Sequence, residues 1–323
     1  MKSSPKKDTK QRKKSKKTYR IRNWHEYNAA LVQRGSLEVW MPSDIGSTWY
    51  AEPAHTRGAQ PVYTNGAIEA VLTLREVFHL PLRNTQGFAE SIFKQSGIDL
   101  DVPDYTTLCR RMTTLEVRLP KQKKEKLTMI LDSSGLKIFG EGEWKVRQHG
   151  YSKRRTWKKI HIGIDKDGEV RAVTTTDPDA HDSEVVSKLI AQELAPIDAI
   201  AADGAYDTRR VYALCQERNI PNILIPPQHN AKIWRHGNLI GTPHPRDENL
   251  RMIREHGRSG WKELVGYHVR SMVENGMFRI KTIFGEGLRS RTDTRQANEV
   301  RLICSALNRM TYLGMPDSYA VRA

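Results

Sequence analysis

The stretch YHVRSMVENGMFRIK, Tyr267 to Lys281, sets a phenol, a guanidinium, a carboxylate and an amine at offsets of 0, 3, 7 and 14. A helix advances about 100° per residue, so Tyr267, Arg270, Glu274 and Lys281 would share an arc of roughly 60°. Val269, Met272, Val273, Met277, Ile280, Ile283 and Phe284 would spread over the far and flanking side, as a core-facing surface does. Taken alone, Arg270 and Glu274 are an i,i+4 pair worth about 0.2–0.5 kcal/mol on a surface helix. The stripe becomes chemistry only if other parts of the chain bring it partners.

Two aspartates are suited to that role. Asp132 closes the apolar run LTMILD and is followed by Ser133, Ser134 and Gly135; Asp203 closes IDAIAAD and is followed by Gly204 and Ala205. A carboxylate at the carboxyl end of a buried strand, with little bulk beyond it, leaves room for a ligand at the sheet edge. On neighbouring strands the two negative charges would be unfavourable without a cation between them. Glu274, from a helix packed on the sheet, would complete a set of three. Three carboxylates without His or Cys match Mg²⁺ or Mn²⁺ rather than Zn²⁺. Two such ions about 4 Å apart can activate a nucleophile and neutralise the leaving oxygen in phosphodiester hydrolysis. Tyr267, Arg270 and Lys281 then read as groups that position phosphates.

Other polar residues read as structural. Asp165 and Asp167 lie in a turn, Asp177 and Asp179 flank Pro178, Asp207 reads as a helix cap, and His229, His236 and His244 as loop histidines. Asp182 reads as a cap that could also sit behind the site.

The elements needed to position these groups follow from the pattern. Leu127–Asp132 is continuously apolar, as a central strand is. WKKIHIGID and EVRAVTTT flank Asp167-Gly168 as a hairpin. DSEVVSKLIAQEL is a helix capped by Asp182 or Ser183, IDAIAAD a strand, TRRVYALCQERN a helix, and NILIPP a strand. Residues 227–262 lack strong periodicity and read as an insertion before the helix that opens at Tyr267. ANEVRLICSALNRM is a final amphipathic helix. Three strands, helix, strand, helix, strand, insertion, helix is the order of a ribonuclease-H-like α/β sheet. Upstream, a short helix capped by Asn23 and stopped by Gly35 precedes NGAIEAVLTLREVFHL, RNTQGFAESIFKQSG and DYTTLCRRM. The last carries Thr106, Thr107, Arg110 and Arg111. These three helices fit either a helix-turn-helix-like DNA reader or a plain packing module.

Charge divides the chain. Of its 323 residues, the first 22 hold eleven Lys/Arg against one acid, while the rest hold forty-two against thirty-six. A tail so poor in apolar side chains is expected to be disordered alone and to suit polyanions such as a phosphate backbone. The absence of an apolar run near 18 residues and of a signal-peptide core implies a soluble, cytoplasmic protein. Three isolated cysteines argue for a reducing compartment and against a disulfide or zinc framework.

The spacing Tyr-x2-Arg-x3-Glu-x6-Lys resembles the Y-R-E-K signature of bacterial insertion-sequence DDE transposases. LDSSGLKIFGEGEWKVRQHG, AADGAYDTR, ALNRMTYLGMP and RNWHEYNAALVQRGSLEVW are similar to the insertion sequence five family, nine-oh-three-type group. The likeness runs over roughly residues 20–316. It implies a ribonuclease-H-like catalytic core in which Asp132, Asp203 and Glu274 are the metal ligands, with two Mg²⁺ or Mn²⁺ ions per site. It implies that Tyr267, Arg270 and Lys281 contact double-stranded DNA near the cleaved end. It also implies water-driven cleavage at terminal inverted repeats, 3′-OH strand transfer into target DNA, and a homo-oligomer on paired ends in a nucleoid-associated setting. The expected divisions are a basic disordered tail at 1–22, a mainly helical DNA-binding and oligomerisation region at 23–118, the catalytic domain at 119–316 and a short tail at 317–323.

The segment KVRQHGYSKRRTWKK joins the first two core strands. Arg147, Lys153, Arg154, Arg155, Lys158 and Lys159, near Trp157, suit either a DNA-tracking segment or a solvated charged loop. A ribonuclease-H-type nuclease or resolvase would share the carboxylates without strand transfer, and a catalytically silent regulator would keep DNA binding alone. A tyrosine recombinase built on Tyr267 lacks a convincing Arg/His partner set.

Overall fold

Thr18, Tyr19 and Ile21 favour extended backbone, and Thr18–Ile21 forms strand β1, antiparallel to Ser318–Val321 at the other end of the chain. The two expected tails therefore meet, and the last residues of the basic one form a strand. Asn23 fastens this junction: its side chain donates to Met315 O at 3.0 Å and accepts from Asp317 N at 2.7 Å. It stands at the N-cap of α1 (Trp24–Gln33) but makes no capping bond. The computed structural model describes residues 18–41, 44–53, 57–58, 60–138, 157–234 and 243–321.

After α2 (Leu37–Trp40), three helices follow the expected pattern: α3 (Asn65–Val77), α4 (Leu82–Gln95) and α5 (Tyr105–Thr114). Thr64 caps α3 through Ala67 N, and Asp104 caps α5 through Thr106 N and Thr107 N. Their buried residues, among them Ile68, Leu72, Leu108 and Met112, belong to the same apolar core as one face of the sheet. These helices are packed as part of the body, with no break in the core near residue 118.

The sheet is built on β2 (Leu127–Ile138), flanked by β3 (Trp157–Ile164) and then β4 (Val170–Thr176) on one side. Gly168, at φ 81° in the β3–β4 turn, takes a conformation open to glycine. Helix α6 (Asp182–Ile190) leads to β5 (Ile197–Ala201), and α7 (Arg209–Glu217) to β6 (Asn222–Leu224) on the other side. The order β4-β3-β2-β5-β6, with β3 antiparallel to its neighbours and β2, β5 and β6 parallel, is the ribonuclease-H-like arrangement. Helix α6 begins after His181 rather than at a cap formed by Asp182 or Ser183.

Alternation sorts the two faces. Ile130, Leu136, Ile160, Ile162 and Ile164 join the core beneath the N-terminal helices, whereas Met129, Leu131 and Ala172 pack with α6 and α7. Both faces being covered explains why the strand run is continuously apolar.

Residues 245–264 correct the expected insertion. They form helix α8 (Pro245–Leu264), bent at Gly257, with Pro245 first and Asp247 and Glu248 in its first turn. Those are standard helix-start signals. The helix expected from Tyr267 begins later: Tyr267–Arg270 is a 3₁₀ turn after left-handed Gly266, and α9 is Ser271–Phe284. Gly276 lets α9 approach β3, because a Cβ there would lie 2.1 Å from Ile164 Cδ1. Short β7 (Gly287–Leu288) rejoins β2, α10 (Asp293–Leu313) crosses the core, and Ser318–Val321 is β8.

Candidate active site

Asp132 lies within its strand, not at the end of it, since β2 continues to Ile138 with β3 alongside. The opening is on the other flank. Strand β5 pairs with β2 only as far as Ala201 opposite Ile130, and β7 rejoins at Lys137. Asp132 and Asp203 each lie two residues beyond the Ile130–Ala201 pair, side by side where the sheet gaps. Over the gap sits the turn Tyr267–Arg270, in contact with both strands.

Three carboxylates meet on one guanidinium here. Arg270 Nη1 reaches Glu274 Oε1 at 2.5 Å, and Nη2 lies 3.6 Å from Asp132 Oδ2 and 3.9 Å from Asp203 Oδ2. Asp132 and Asp203 also accept from Ser133 N and Ala205 N, each at 2.9 Å, which fixes their orientation. The side chains are 18% exposed at Asp132, 39% at Asp203 and 56% at Glu274, so solvent reaches the cluster from the Glu274 side. Three negative charges against one positive leave an excess of two. Burial raises the Asp132 pKa, and the charges on Asp203 and Glu274 add to the rise against Ser133 N–H and Arg270. For Arg270 burial acts downward, but Tyr267 and the three carboxylates more than offset it and hold the guanidinium charged.

Tyr267 is an anchor. Its buried hydroxyl donates to Ala202 O at 3.1 Å, just before Asp203, and its ring packs against Trp261. Burial pushes its pKa up to about 12. The phenol thus points into the protein rather than outward from the stripe. Lys281, about two turns beyond Glu274, is partly exposed; Glu286 is held below its ordinary range chiefly by its hydrogen bond to Lys137, with Lys281 adding a smaller pull.

Hard oxygen donors and an excess of two negative charges fit a divalent cation in type and charge. Their spacing does not, because the guanidinium stands among them: among the described residues no three acidic, His or Cys side chains are close enough to share an ion.

The remaining basic residues named from sequence fall differently. Lys158 is buried and paired with Asp177 at 2.6 Å and Asp293 at 2.9 Å; Lys159 pairs with Asp182 at 2.6 Å. Both are consumed within the protein, because β3 draws them into the sheet. Arg111 donates to Tyr63 O and Asn65 Oδ1, while Arg110 is exposed on α5. Arg147, Lys153, Arg154 and Arg155 lie outside the described residues. Asp207, expected as a cap, instead forms a two-pronged pair with Arg246 at 2.6 and 3.0 Å.

Two features escape a reading of residue spacing. Arg270 is the hub of the carboxylates rather than one more member of a stripe. Behind Asp203, on the other face of the sheet, the buried Tyr206 hydroxyl has no hydrogen-bond partner and senses Asp182, Asp132 and Asp203; burial chiefly raises its pKa. The small residues after Asp203, which bring the turn close to the strand end, were the available signal.

The transposase DDE domain, as a family model, matches residues 123–310, and a second model of the same description matches residues 32–141. The chain belongs to the DDE transposase family. The first match spans the sheet and every element that meets at Arg270. Among solved structures the DDE protein is distantly similar to the Drosophila P element transposase strand transfer complex, at 11% identity and a TM-score of 0.28. That likeness covers 78% of this chain and 66% of the other. Among the described residues no helix is long and apolar enough to cross a membrane.

Proposed function

We propose that this transposase binds the terminal inverted repeats of an insertion sequence, cleaves the strand at each end, and joins the freed 3′-OH to target DNA. The observation that carries the reading is the convergence of Asp132, Asp203 and Glu274, from three distant segments, at a gap in the sheet. The Y-R-E-K resemblance supports the insertion-sequence assignment.

In cleavage a water oxygen forms the new bond to phosphorus and the 3′-oxygen leaves, taking a proton. In joining, that 3′-OH attacks a target phosphodiester and displaces its 3′-oxygen. Asp132, Asp203 and Glu274 are the oxygen donors that would hold Mg²⁺ or Mn²⁺, two ions per site, only with Arg270 moved from among them; bound there, the ions would supply an activated nucleophile and charge neutralisation at the leaving oxygen. Arg270, in the turn that leads into α9, and Lys281, on α9, would hold the phosphodiester by charge-assisted hydrogen bonds. Tyr267 keeps the turn bearing Arg270 against the end of β5, so the phosphate-binding groups and Asp203 keep one relative position. Exposed Arg110 and the basic tail add sequence-independent attraction to DNA. The reaction takes place on paired ends, held by a homo-oligomer in the bacterial nucleoid.

An end-labelled fragment incubated with Mg²⁺ and a target plasmid tests this reading. Joined products are expected, and their loss in Asp203→Asn with an unchanged footprint on the end. Cleaved ends that never join would make the protein a nuclease instead.

A further inference from the structure

Arg270 stands where the carboxylates need a cation. Its Nη1 and Nη2 lie among Glu274, Asp132 and Asp203 at 2.5, 3.6 and 3.9 Å. Its Nε is buried and has no hydrogen-bond partner. A guanidinium placed for its own sake would use that donor, since an unpaired buried N–H is costly. Here the geometry serves the carboxylates at the expense of the arginine. The backbone beneath it is fixed, because Tyr267 fastens the turn to Ala202 O. Beyond that turn, the guanidinium is held by one short pair to an exposed glutamate and two looser contacts.

We propose that Arg270 reserves the cation position while DNA is absent and gives it up when a phosphodiester enters. The proposal rests on the reading of the three carboxylates as a metal site. The guanidinium neutralises one of three negative charges and keeps the carboxylates from closing around an ion. A DNA phosphate offers it a two-pronged partner of the same charge just outside the site. Once the guanidinium moves, three carboxylates are left uncompensated and take up divalent ions. Metal and DNA then bind with positive coupling, and linkage makes the coupling equal in both directions. Free enzyme stays poor in metal and so inert towards passing DNA until a strand is seated.

Mn²⁺ binding, followed by calorimetry and electron paramagnetic resonance, tests this on the full chain with and without duplex DNA from the flank of its own coding region. Wild type should bind Mn²⁺ at least about tenfold more tightly with the duplex, in the usual range of coupling between sites. Arg270→Gln should bind it that tightly without DNA and lose the coupling. Arg270→Lys keeps the charge but cannot span three carboxylates, and it should also bind more tightly than wild type; a field effect alone would leave it unchanged. Lys188→Gln, which removes an exposed charge on α6, on the other face of the sheet, should keep the wild-type coupling. Should Arg270→Gln fold poorly, Mn²⁺ without DNA should raise its Tm and leave that of wild type unmoved. Tight Mn²⁺ binding by DNA-free wild type, unaltered in both Arg270 variants, would overturn the reserving role and leave the metal site standing. Absence of Mn²⁺ binding in every variant, with or without DNA, would overturn both.

Discussion

Two clusters of charge sit on this sheet, and they are built to opposite ends. Around the β3–β4 turn, buried Asp165, Glu169 and Glu193 face Lys121, Lys124 and Arg171, three acids against three bases, with exposed Asp167 added at the rim. Nearly every group there has more than one partner. Lys124 spans Asp165 and Asp167 at 2.5 Å each, Arg171 spans Glu169 and Glu193, and Glu169 also accepts from Gln122 N and Tyr312. At the sheet gap, three acids face one base and solvent enters. A set whose buried charges balance and whose groups are nearly all bonded more than once has little left to offer a ligand. An unbalanced set with an unpaired donor does, which is what distinguishes a site from a staple.

The sharpest break between the clusters lies in what their removal costs. Asp203→Asn should lower strand cleavage by about 10³-fold or more, equivalent to ~4 kcal/mol. It should leave Tm unchanged or raised, because it removes one of three like charges. Parallel cleavage assays and melting curves check both halves. Arg171→Met should do the reverse: Glu169 and Glu193 lose their buried partner, and stability should fall by about 3–5 kcal/mol in urea unfolding. Cleavage per folded molecule should not change.

A third group sharpens the contrast through pH. His161, buried between Thr176 and Asp182 with Lys159 near, is pushed down to about 4, chiefly by burial. The unfolded imidazole takes up its proton near 6.5 and the folded one does not. This contribution is therefore complete above pH 6.5 and lost as pH falls towards 4, roughly 3 kcal/mol in all. Urea midpoints at pH 7 and pH 5 should differ less in His161→Asn than in wild type. Gly276→Ala, which drives α9 away from Ile164, should cost about 1–3 kcal/mol and displace Glu274, lowering cleavage and Tm together. Smallest is Asp167→Ala: it removes the exposed arm of Lys124 and should change stability by less than about 1 kcal/mol.

Much of this fold can be read from alternation. Both registers of LTMILD are apolar, so a central strand follows, and Ile130 and Met129 do face opposite cores. Asp203 is placed by the same reasoning. The strand beyond Asp132 is harder to see: Ser133, Ser134 and Gly135 read as a stop, yet pairing with β3 carries β2 to Ile138. Local propensity yields there to a neighbouring strand. Helix α8 hides because Gly257 and its many charges blur the period, although His244-Pro245 and the acids after it mark its start. The position of Arg270 at the centre of the carboxylates depends on a left-handed Gly266 and a 3₁₀ turn, which rotate Tyr267 off the line that a regular helix would give it. No periodicity rule encodes that rotation.

Iron(II) in place of the natural ion, bound with end DNA and reacted with ascorbate and peroxide, cuts the backbone around its own binding site. Sequencing the fragments tests most directly whether the gap in the sheet is the reaction centre. Cuts near residues 132, 203 and 274, lost in Asp203→Asn, are the predicted pattern. Cuts confined to the acidic turn at 165–169, or a pattern indifferent to Asp203, would contradict the account.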